Sequence, residues 1–191
     1  MNPEPWPPTV ASVKAAQNGD PTALEAVYRT MQPRLAAFLR YQGFSQTVQE
    51  DIAADVSETV LTKISTLRNS GTFEAWFWAI TRNQIRAWLR AKRRDAQKNE
   101  PAEPEPATLD EIVIAKEEHS DIRLALSHLS DQDRHLLWMR EIEGLSYKNI
   151  GTIVGVAPGT VRVRCHRARR KLEVAYEDLR QEHPSGATPD S

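Results

Sequence analysis

Arginine and lysine are concentrated in two separate stretches of this sequence. The stretch from Ala75 to Arg94 contains no acidic residue, and neither does the stretch from Lys148 to Lys171. The first contains Arg82, Arg86, Arg90, Lys92, Arg93 and Arg94, and the second contains Arg162, Arg164, Arg167, Arg169 and Arg170. Guanidinium groups bind phosphate oxygens and the O6 and N7 atoms of guanine. Both stretches therefore predict contact with a polyanion, at two separate places.

The overall charge shows that these contacts must be local. The 25 Lys and Arg residues are balanced by 26 Asp and Glu residues, which leaves a formal net charge of −1. The acids are concentrated elsewhere, above all between Asp95 and Asp121. A neutral total argues against a protein that coats nucleic acid, whereas segregated charge favours two defined basic surfaces.

The residues that commonly carry catalysis or bind metals form no recognisable pattern. The chain has one cysteine, Cys165, which excludes an internal disulfide and makes a cysteine-based zinc site very improbable. The five histidines have no metal-ligand spacing, and there is no nucleophile elbow, phosphate loop or isolated acid pair. We therefore expect no catalytic residue, no metal and no cofactor, and we interpret Cys165 as a small core residue rather than a redox sensor.

No segment of the sequence is typical of a secreted or membrane protein. Residues 1–10 contain prolines and no apolar run, so they do not form a signal peptide. No stretch approaches the roughly 18 consecutive apolar residues of a membrane span. The sequence predicts a cytoplasmic protein without membrane insertion.

Three helices are predicted in the first half of the chain. Asp20 is a suitable N-cap before Pro21, and Pro33 predicts a kink or break farther along that helix. Residues 47–50 have the spacing of a capping box, and a third helix is predicted to begin near Thr72.

The second of these helices has one apolar and one acidic face. Its apolar residues recur at intervals of four and are Val48, Ile52, Val56, Val60 and Ile64. The opposite face bears Glu50, Asp51, Asp55 and Glu58. This pattern predicts an amphipathic helix whose acidic face is exposed.

A proline-rich acidic segment divides the chain. Residues 95–110 have no periodicity, and their composition favours an extended, self-repelling linker with a reach of about 50 Å. We predict an all-α protein of two small helical domains. The predicted order is a disordered segment 1–19, a domain 20–94, a linker 95–119, a domain 120–176 and a polar tail 177–191.

The second domain ends in a helix-turn-helix pattern. Ser130 and Ser146 are predicted N-caps, Gly155 lies in the turn, and Pro158 opens a basic helix that runs through Leu172. A helix-turn-helix places its second helix in the major groove, where its N-terminal residues meet base edges.

The last helix is predicted to have an inward and an outward side. Val161, Cys165 and Ala168 recur at intervals that place them on the inward side. The candidate residues for base and phosphate contacts are Lys148, Thr160, Arg162, Arg164, His166, Arg167 and Arg170.

The chain resembles the extracytoplasmic-function (ECF) sigma factors of the sigma-70 family. Residues 126–172 contain GLSY, GTV and HRARRKL in the order and spacing of that family's region 4. GTFEAWFWAITRNQIRAWLRAKRRD and DIAADVSETVL are similar to two stretches of its region 2. Ala54 replaces the glutamine that the family usually has, and Val163 stands where the family often has a small polar residue.

The resemblance implies a role for each charged surface. Contact with the clamp helices of the polymerase's largest subunit is implied for Asp51, Ala54, Asp55 and Glu58. Binding of the minus-10 element is implied for Arg82, Asn83, Arg86, Trp88, Arg90 and Arg93. Lys148 and the candidates on the last helix would read the minus-35 element, and the linker would span the distance between the two elements.

The function implied is promoter-specific initiation of transcription by a non-enzymatic RNA polymerase sigma factor. Its partners would be core RNA polymerase, promoter DNA and an anti-sigma factor. A free-standing helix-turn-helix transcriptional regulator is the main alternative, but it leaves the first domain without a purpose. An enzyme with a nucleic-acid-binding tail and a two-domain adaptor are further alternatives.

Overall fold

The computed structural model describes residues 6–98 and 118–182. Every regular element in these two ranges is helical, and the chain forms two compact units. The prediction of an all-α protein with two helical domains is confirmed. The predicted linker between residues 99 and 117, the first five residues and the tail from residue 183 lie outside the described residues.

The first unit consists of four helices and two short 3-10 turns. The helices are α1 (Val10–Gln17), α2 (Pro21–Tyr41), α3 (Gln46–Lys63) and α4 (Phe73–Lys98). The turns between α3 and α4 are Ile64–Thr66 and Ser70–Thr72. Helix α3 packs along α4, while α1 packs against both turns.

Aromatic residues form the core of the first unit. Phe38, Phe77 and Trp78 are fully buried, and the Trp78 ring meets Phe38 and Phe77 edge-on at centroid distances of 5.1 and 4.9 Å. Trp6 adds a further edge-on contact to Phe77 at 5.1 Å. Such edge-to-face pairs add about 0.5–1.5 kcal/mol each beyond the area that they bury. This cluster fixes the N-terminal half of α4 and thereby orients its second half.

The N-terminal segment is ordered from residue 6, which corrects the prediction of a disordered segment over residues 1–19. Helix α1 buries Val13 and Ala16. The side-chain amide of Gln17 donates hydrogen bonds to the carbonyl oxygens of Ile64 and Leu67, and its oxygen accepts one from Ser70. A proline-rich composition suggested disorder because these partners lie about 50 residues away and leave no local pattern.

Three predicted helix boundaries in the first unit also differ. Ser45, not Thr47, precedes α3, and its side chain makes no capping hydrogen bond, so the predicted capping box is absent. Pro33 lies inside α2 without ending it. The Asp20 cap is confirmed, because its carboxylate accepts from the backbone amides at positions 22 and 23. Helix α4 continues through the first residues of the predicted linker, to Lys98.

The second unit packs three short helices against one long helix. These are α5 (Glu118–Ser127), α6 (Asp131–Leu137), α7 (Tyr147–Val154) and α8 (Pro158–Glu182), with a π-helical turn, Trp138–Ile142, after α6. Helices α5, α6 and α7 all contact α8. Helix α8 is ten residues longer than the predicted end at Leu172, so residues 177–182 of the predicted polar tail are helical. Burial of Leu179 extends the apolar stripe into this added length.

The helix-turn-helix predicted from the spacing is present. The Ser146 hydroxyl accepts a hydrogen bond from the Asn149 amide at 3.1 Å and caps α7. Gly155 ends α7 with a φ of 75°, a left-handed conformation that glycine adopts without a steric penalty. A Cβ on Gly151 would lie 2.7 Å from the Val156 carbonyl oxygen, so only glycine lets the turn return so closely over α7.

The two glycines of this motif are expected to respond differently to substitution. Gly151→Ala should lower the free energy of unfolding of the second unit by about 1–3 kcal/mol, because the turn must move away from the added methyl group. Gly159→Ala should leave stability unchanged or raise it, since a Cβ there meets nothing within 4 Å. Thermal unfolding of both variants, followed by circular dichroism, measures the difference. Equal stability of the two variants would contradict the packing described for Gly151.

Candidate polymerase and nucleic-acid interfaces

The exposed side of α3 bears a continuous acidic surface. Asp51, Ala54, Asp55 and Glu58 are all exposed and recur at intervals of three and four residues, so they share one side of the helix. The opposite side is fully buried at Ile52, Val56 and Val60. We refer to residues 51, 54, 55 and 58 as the acidic face. Its side chains are solvated, and the helix owes its position to the apolar side.

The second half of α4 bears a surface of the opposite sign. With about 100° of rotation per residue, Arg82, Asn83, Arg86, Arg90 and Arg93 lie on one side of the helix. We refer to these five residues as the cationic face. The buried residues Phe77, Thr81 and Ile85 lie on the other side. Four of the five members are exposed, while Arg82 is half-buried. The pKa of Arg82 lies below its ordinary value, mainly because the guanidinium is partly buried and, to a smaller extent, because the positive charge of Arg86 is close to it.

Trp88 is not part of the cationic face. Its ring packs edge-on against Phe44 at a centroid distance of 5.7 Å, and the Lys92 ammonium lies 5.3 Å from the ring centroid. Trp88 lies two positions after Arg86 and two before Arg90, about 200° around the helix from each, which directs its side chain to the other side of α4. The structure therefore separates Trp88 from the arginines with which the sequence had grouped it.

The inward side of α8 agrees with the prediction. Val161 and Ala168 are fully buried and Cys165 is 4% exposed. Burial raises the pKa of the Cys165 thiol above its ordinary value, so the thiol stays protonated at neutral pH. The interpretation of Cys165 as a core residue is confirmed.

All the candidate nucleic-acid contacts of the second unit are exposed. Thr160, Arg162, Arg164, His166, Arg167 and Arg170 project from α8, and Lys148 projects from α7. Arg162 and Arg164 flank the outward surface, because two residues along a helix correspond to about 200° of rotation. Between them lies Val163, which is 49% exposed and which we did not include among the predicted contacts.

Two cations of α8 are engaged in bracing the helix. Arg169 donates a hydrogen bond of 2.5 Å to Glu141 in the π-helical turn, and this bond raises the pKa of the guanidinium. The Lys171 ammonium lies 2.8 Å from a carboxylate oxygen of Asp133 in α6. Both are exposed ion pairs of modest energy. They hold α8 against its neighbours and leave the remaining cations to face outward.

The part of the chain that the structure describes holds neither a cluster of metal ligands nor a membrane-spanning helix. Between residues 6 and 98 and between 118 and 182, no three His, Cys, Asp or Glu side chains come together as metal ligands would. No helix within the same ranges has the length and apolar character needed to cross a bilayer.

Two family models match the chain. The model described as Sigma-70 region 2 matches residues 27–95, which include the acidic and cationic faces. The model described as Sigma-70, region 4, matches residues 119–172, which include the helix-turn-helix. The two models follow each other in the order found in sigma factors and leave only the segment between the two units and the ends of the chain unmatched.

Curated relatives carry the same description. The chain is 32% identical over 134 residues to the ECF RNA polymerase sigma factor SigE of Mycolicibacterium smegmatis, a match that covers 65% of this chain and 51% of SigE. The chain thus spans about half the length of that relative. It is 27% identical over 175 residues to the RNA polymerase sigma factor CarQ of Myxococcus xanthus, covering 87% of this chain and 96% of CarQ.

Solved structures share the fold. The sigma factor RpoE of Bartonella quintana, solved in complex with the anti-sigma factor NepR, has a TM-score of 0.63 at 25% identity, covering 76% of this chain and 91% of RpoE. CnrH, solved in complex with the cytosolic domain of CnrY, has a TM-score of 0.64 at 19% identity, covering 88% of this chain and 97% of CnrH. Matches to both sigma regions and to curated sigma factors agree with the helix-turn-helix and the two charged faces: this chain belongs to the ECF group of sigma-70 RNA polymerase sigma factors.

Proposed function

We propose that this sigma factor divides initiation among three surfaces. The acidic face of α3 binds core RNA polymerase, the cationic face of α4 holds the opened minus-10 element, and α8 reads the minus-35 element as duplex. The observation that carries this proposal is that the first unit exposes surfaces of both signs on successive helices. A regulator that binds duplex DNA alone needs only the helix-turn-helix. A polymerase subunit that also holds separated strands needs all three surfaces.

The acidic face is suited to a protein partner. It is built on a helix whose buried side is apolar, so its carboxylates are held on a rigid scaffold. Carboxylates repel the phosphate backbone, which makes this surface unsuitable for DNA. Complementary charge on the polymerase would speed the encounter and set the orientation of the complex.

The cationic face is suited to an extended strand. Arg86, Arg90 and Arg93 rise along α4 at about 1.5 Å per residue, so they span roughly 10 Å. Adjacent phosphates of a single strand lie a few ångströms apart, and a row of guanidinium groups follows such a backbone. Trp88 packs against Phe44, and we therefore assign it a supporting role rather than base stacking.

The two units correspond to two DNA-binding domains in this proposal. We assign sigma region 2 to residues 20–94 and sigma region 4 to residues 120–176. The linker predicted over residues 95–119 is shortened at both ends, because α4 reaches Lys98 and α5 begins at Glu118. The family acts by binding and carries out no reaction of its own. We therefore propose that this chain is a non-enzymatic initiation factor, that it works in the cytoplasm where RNA polymerase acts, and that an anti-sigma factor is a further partner.

Run-off transcription tests the function directly. The full-length chain is added to core RNA polymerase together with a pool of genomic promoter fragments, and the transcripts are sequenced. Transcripts whose start sites lie downstream of a shared pair of minus-35 and minus-10 elements are the expected result. Core polymerase without the chain is the control.

Binding by the free chain separates a sigma factor from a free-standing regulator. We expect tight association with core polymerase, and binding of duplex DNA only in the non-specific range, on the order of 10⁻⁶ M or weaker. Each unit alone makes few contacts with DNA, which limits affinity. Fluorescence anisotropy with duplexes from the run-off experiment measures this. Sequence-specific nanomolar binding by the free chain would favour the regulator.

A second prediction concerns α8, which we propose as the helix that reads the minus-35 element. Arg162→Ala or Arg164→Ala should lower transcription from the cognate promoter and relax specificity at one or two upstream positions, since one bidentate pair contributes about 1–3 kcal/mol of discrimination. Arg170→Ala should weaken all promoters alike and lower the salt dependence by about 0.9 per lost phosphate contact.

Transcription from a library randomised in the upstream element distinguishes these outcomes. The three variants retain all buried residues of α8, so folding is not the variable that changes. A uniform loss across the library for all three variants would show that Arg162 and Arg164 bind phosphates rather than bases.

A further inference from the structure

The outward surface of α8 contains an apolar side chain at its centre. Val163 is 49% exposed, although its neighbours along the chain are Arg162 and Arg164. The buried residues Val161 and Cys165 lie two positions before and after it. Two positions correspond to about 200° of rotation, so Val163 points almost directly away from the packed side of α8. Its isopropyl group therefore projects farthest from the protein at this level of the helix.

The surroundings of Val163 leave this group uncovered. Helical side chains lean toward the N-terminus, so Val163 leans toward Gly159, one turn earlier. Gly159 has no side chain, and a Cβ built there would meet nothing within 4 Å. The polar neighbours on the same surface are Thr160, His166 and Arg167, all exposed. The two methyl groups of Val163 are therefore surrounded by polar and cationic side chains. They lie near the N-terminal end of α8, the end that enters the major groove in a helix-turn-helix.

The free protein gains nothing from valine at this position. A β-branched residue is a weaker helix former than alanine, lysine or arginine, and an isopropyl group that stays 49% exposed buries little apolar area. In the major groove, the apolar feature that base edges present is the 5-methyl group of thymine. Contact between the two would remove both from water.

We infer that Val163 is a specificity-determining residue that reads the 5-methyl group of a thymine in the upstream promoter element. This inference rests on the proposed role of α8. It adds to that role a position at which an A·T pair is selected by apolar contact, beside the positions that arginine reads by hydrogen bonding. The thymine can belong to either strand, because every A·T pair presents one methyl group in the major groove.

Replacement of thymine by uracil removes only this methyl group and tests the inference. The template is the sequence that the reconstituted holoenzyme selects most strongly from a library randomised in the upstream element. Each thymine of that element, on each strand, is replaced singly by deoxyuridine, and the rate of initial transcription is measured. At one position the wild-type holoenzyme should lose about fourfold, the effect of one methyl group returned to water.

Variants of the protein assign this effect to one side chain. Val163→Ser should lower the rate on the thymine template about fourfold and should show no further loss on the uracil template. Val163→Thr retains one methyl group and should restore part of the discrimination. Val174→Ser is the matched control, because Val174 is 52% exposed on the same side of α8 but lies about 16 Å farther along the helix. It should discriminate between thymine and uracil as the wild type does.

The outcomes separate the inference from the function on which it rests. Transcription that is independent of the upstream element would overturn the proposed role of α8 and the inference with it. Transcription that requires the element but does not distinguish thymine from uracil at any position would overturn only the inference. Undiminished discrimination in Val163→Ser would do the same, and so would a selected element without any A·T pair.

Discussion

Reversal of the charges at Asp51 and Asp55 to lysine is expected to abolish association with core RNA polymerase. Both carboxylates are exposed on the acidic face, and the double variant replaces two attractive contacts by two repulsive ones. Like charges brought together across an interface cost several kcal/mol, so the dissociation constant should rise roughly a hundredfold or more. A pull-down with immobilised core polymerase, quantified over a range of protein concentrations, measures the loss.

Two further variants test whether the loss of binding comes from the acidic face itself or merely from the change in the total charge of the protein. The neutral Asp51→Asn, Asp55→Asn protein removes the attraction without adding repulsion and should bind with intermediate affinity. Glu25→Lys changes the charge as much as Asp55→Lys does, at an exposed residue of α2 that forms an exposed ion pair with Arg29. It should bind polymerase normally. Full association of the double lysine variant would assign the acidic face another role.

Replacement of Arg90 and Arg93 by alanine is expected to block open-complex formation while association with polymerase stays near the wild-type level. Both side chains are exposed on the cationic face, roughly 18 and 22 Å along the helix from Trp78 in the aromatic core that anchors α4. Each lost charge-assisted contact to a phosphate removes about 1.5–3 kcal/mol. The fraction of open promoter should therefore fall on the order of a hundredfold. Permanganate footprinting of unpaired thymines measures it.

The control for this experiment lies on the same stretch of helix. Lys92 is also an exposed cation, but it lies over the Trp88 ring on the other side of α4. Lys92→Ala should leave promoter opening nearly unchanged. If Lys92→Ala and the arginine variant were equally defective, total charge rather than the cationic face would control opening. Normal opening by the arginine variant would remove the minus-10 strand from the proposed role of α4.

The two experiments report separate steps of one pathway. The acidic-face variants should fail before any DNA is bound, and the cationic-face variants should fail after the polymerase complex has formed. If both sets of variants failed at the same step, the acidic and cationic faces would share one role, and the proposed division between polymerase binding and promoter opening would be wrong.

The local features of this protein were predictable from its sequence. The caps at Asp20, Ser130 and Ser146 depend on a side chain and an amide two or three residues away. The start of α8 at Pro158 depends on one residue. The inward side of that helix follows from a period of 3.6 residues. Each of these predictions uses interactions whose partners are neighbours in the sequence, and each agrees with the structure.

The features that required the tertiary structure depend on distant partners. Helix α1 is ordered because Gln17 reaches carbonyl groups about 50 residues away, and composition alone suggested disorder there. The contact between Trp88 and Phe44 could not be predicted either, because Phe44 lies 44 residues earlier in the chain.

The interpretation of Val163 needs both the sequence and the tertiary structure. The sequence shows that Val163 lies between Arg162 and Arg164, but it does not show what fraction of the side chain is exposed. The period of 3.6 residues predicted the covered side of α8, and the packing of α8 against α5, α6 and α7 shows how much of Val163 that arrangement leaves exposed. The sequence by itself determined most of the helices, the caps at Asp20, Ser130 and Ser146, and the sign of each charged face. The tertiary structure decided which side chains those faces contain, because burial is a property of contacts between segments that are far apart in the chain.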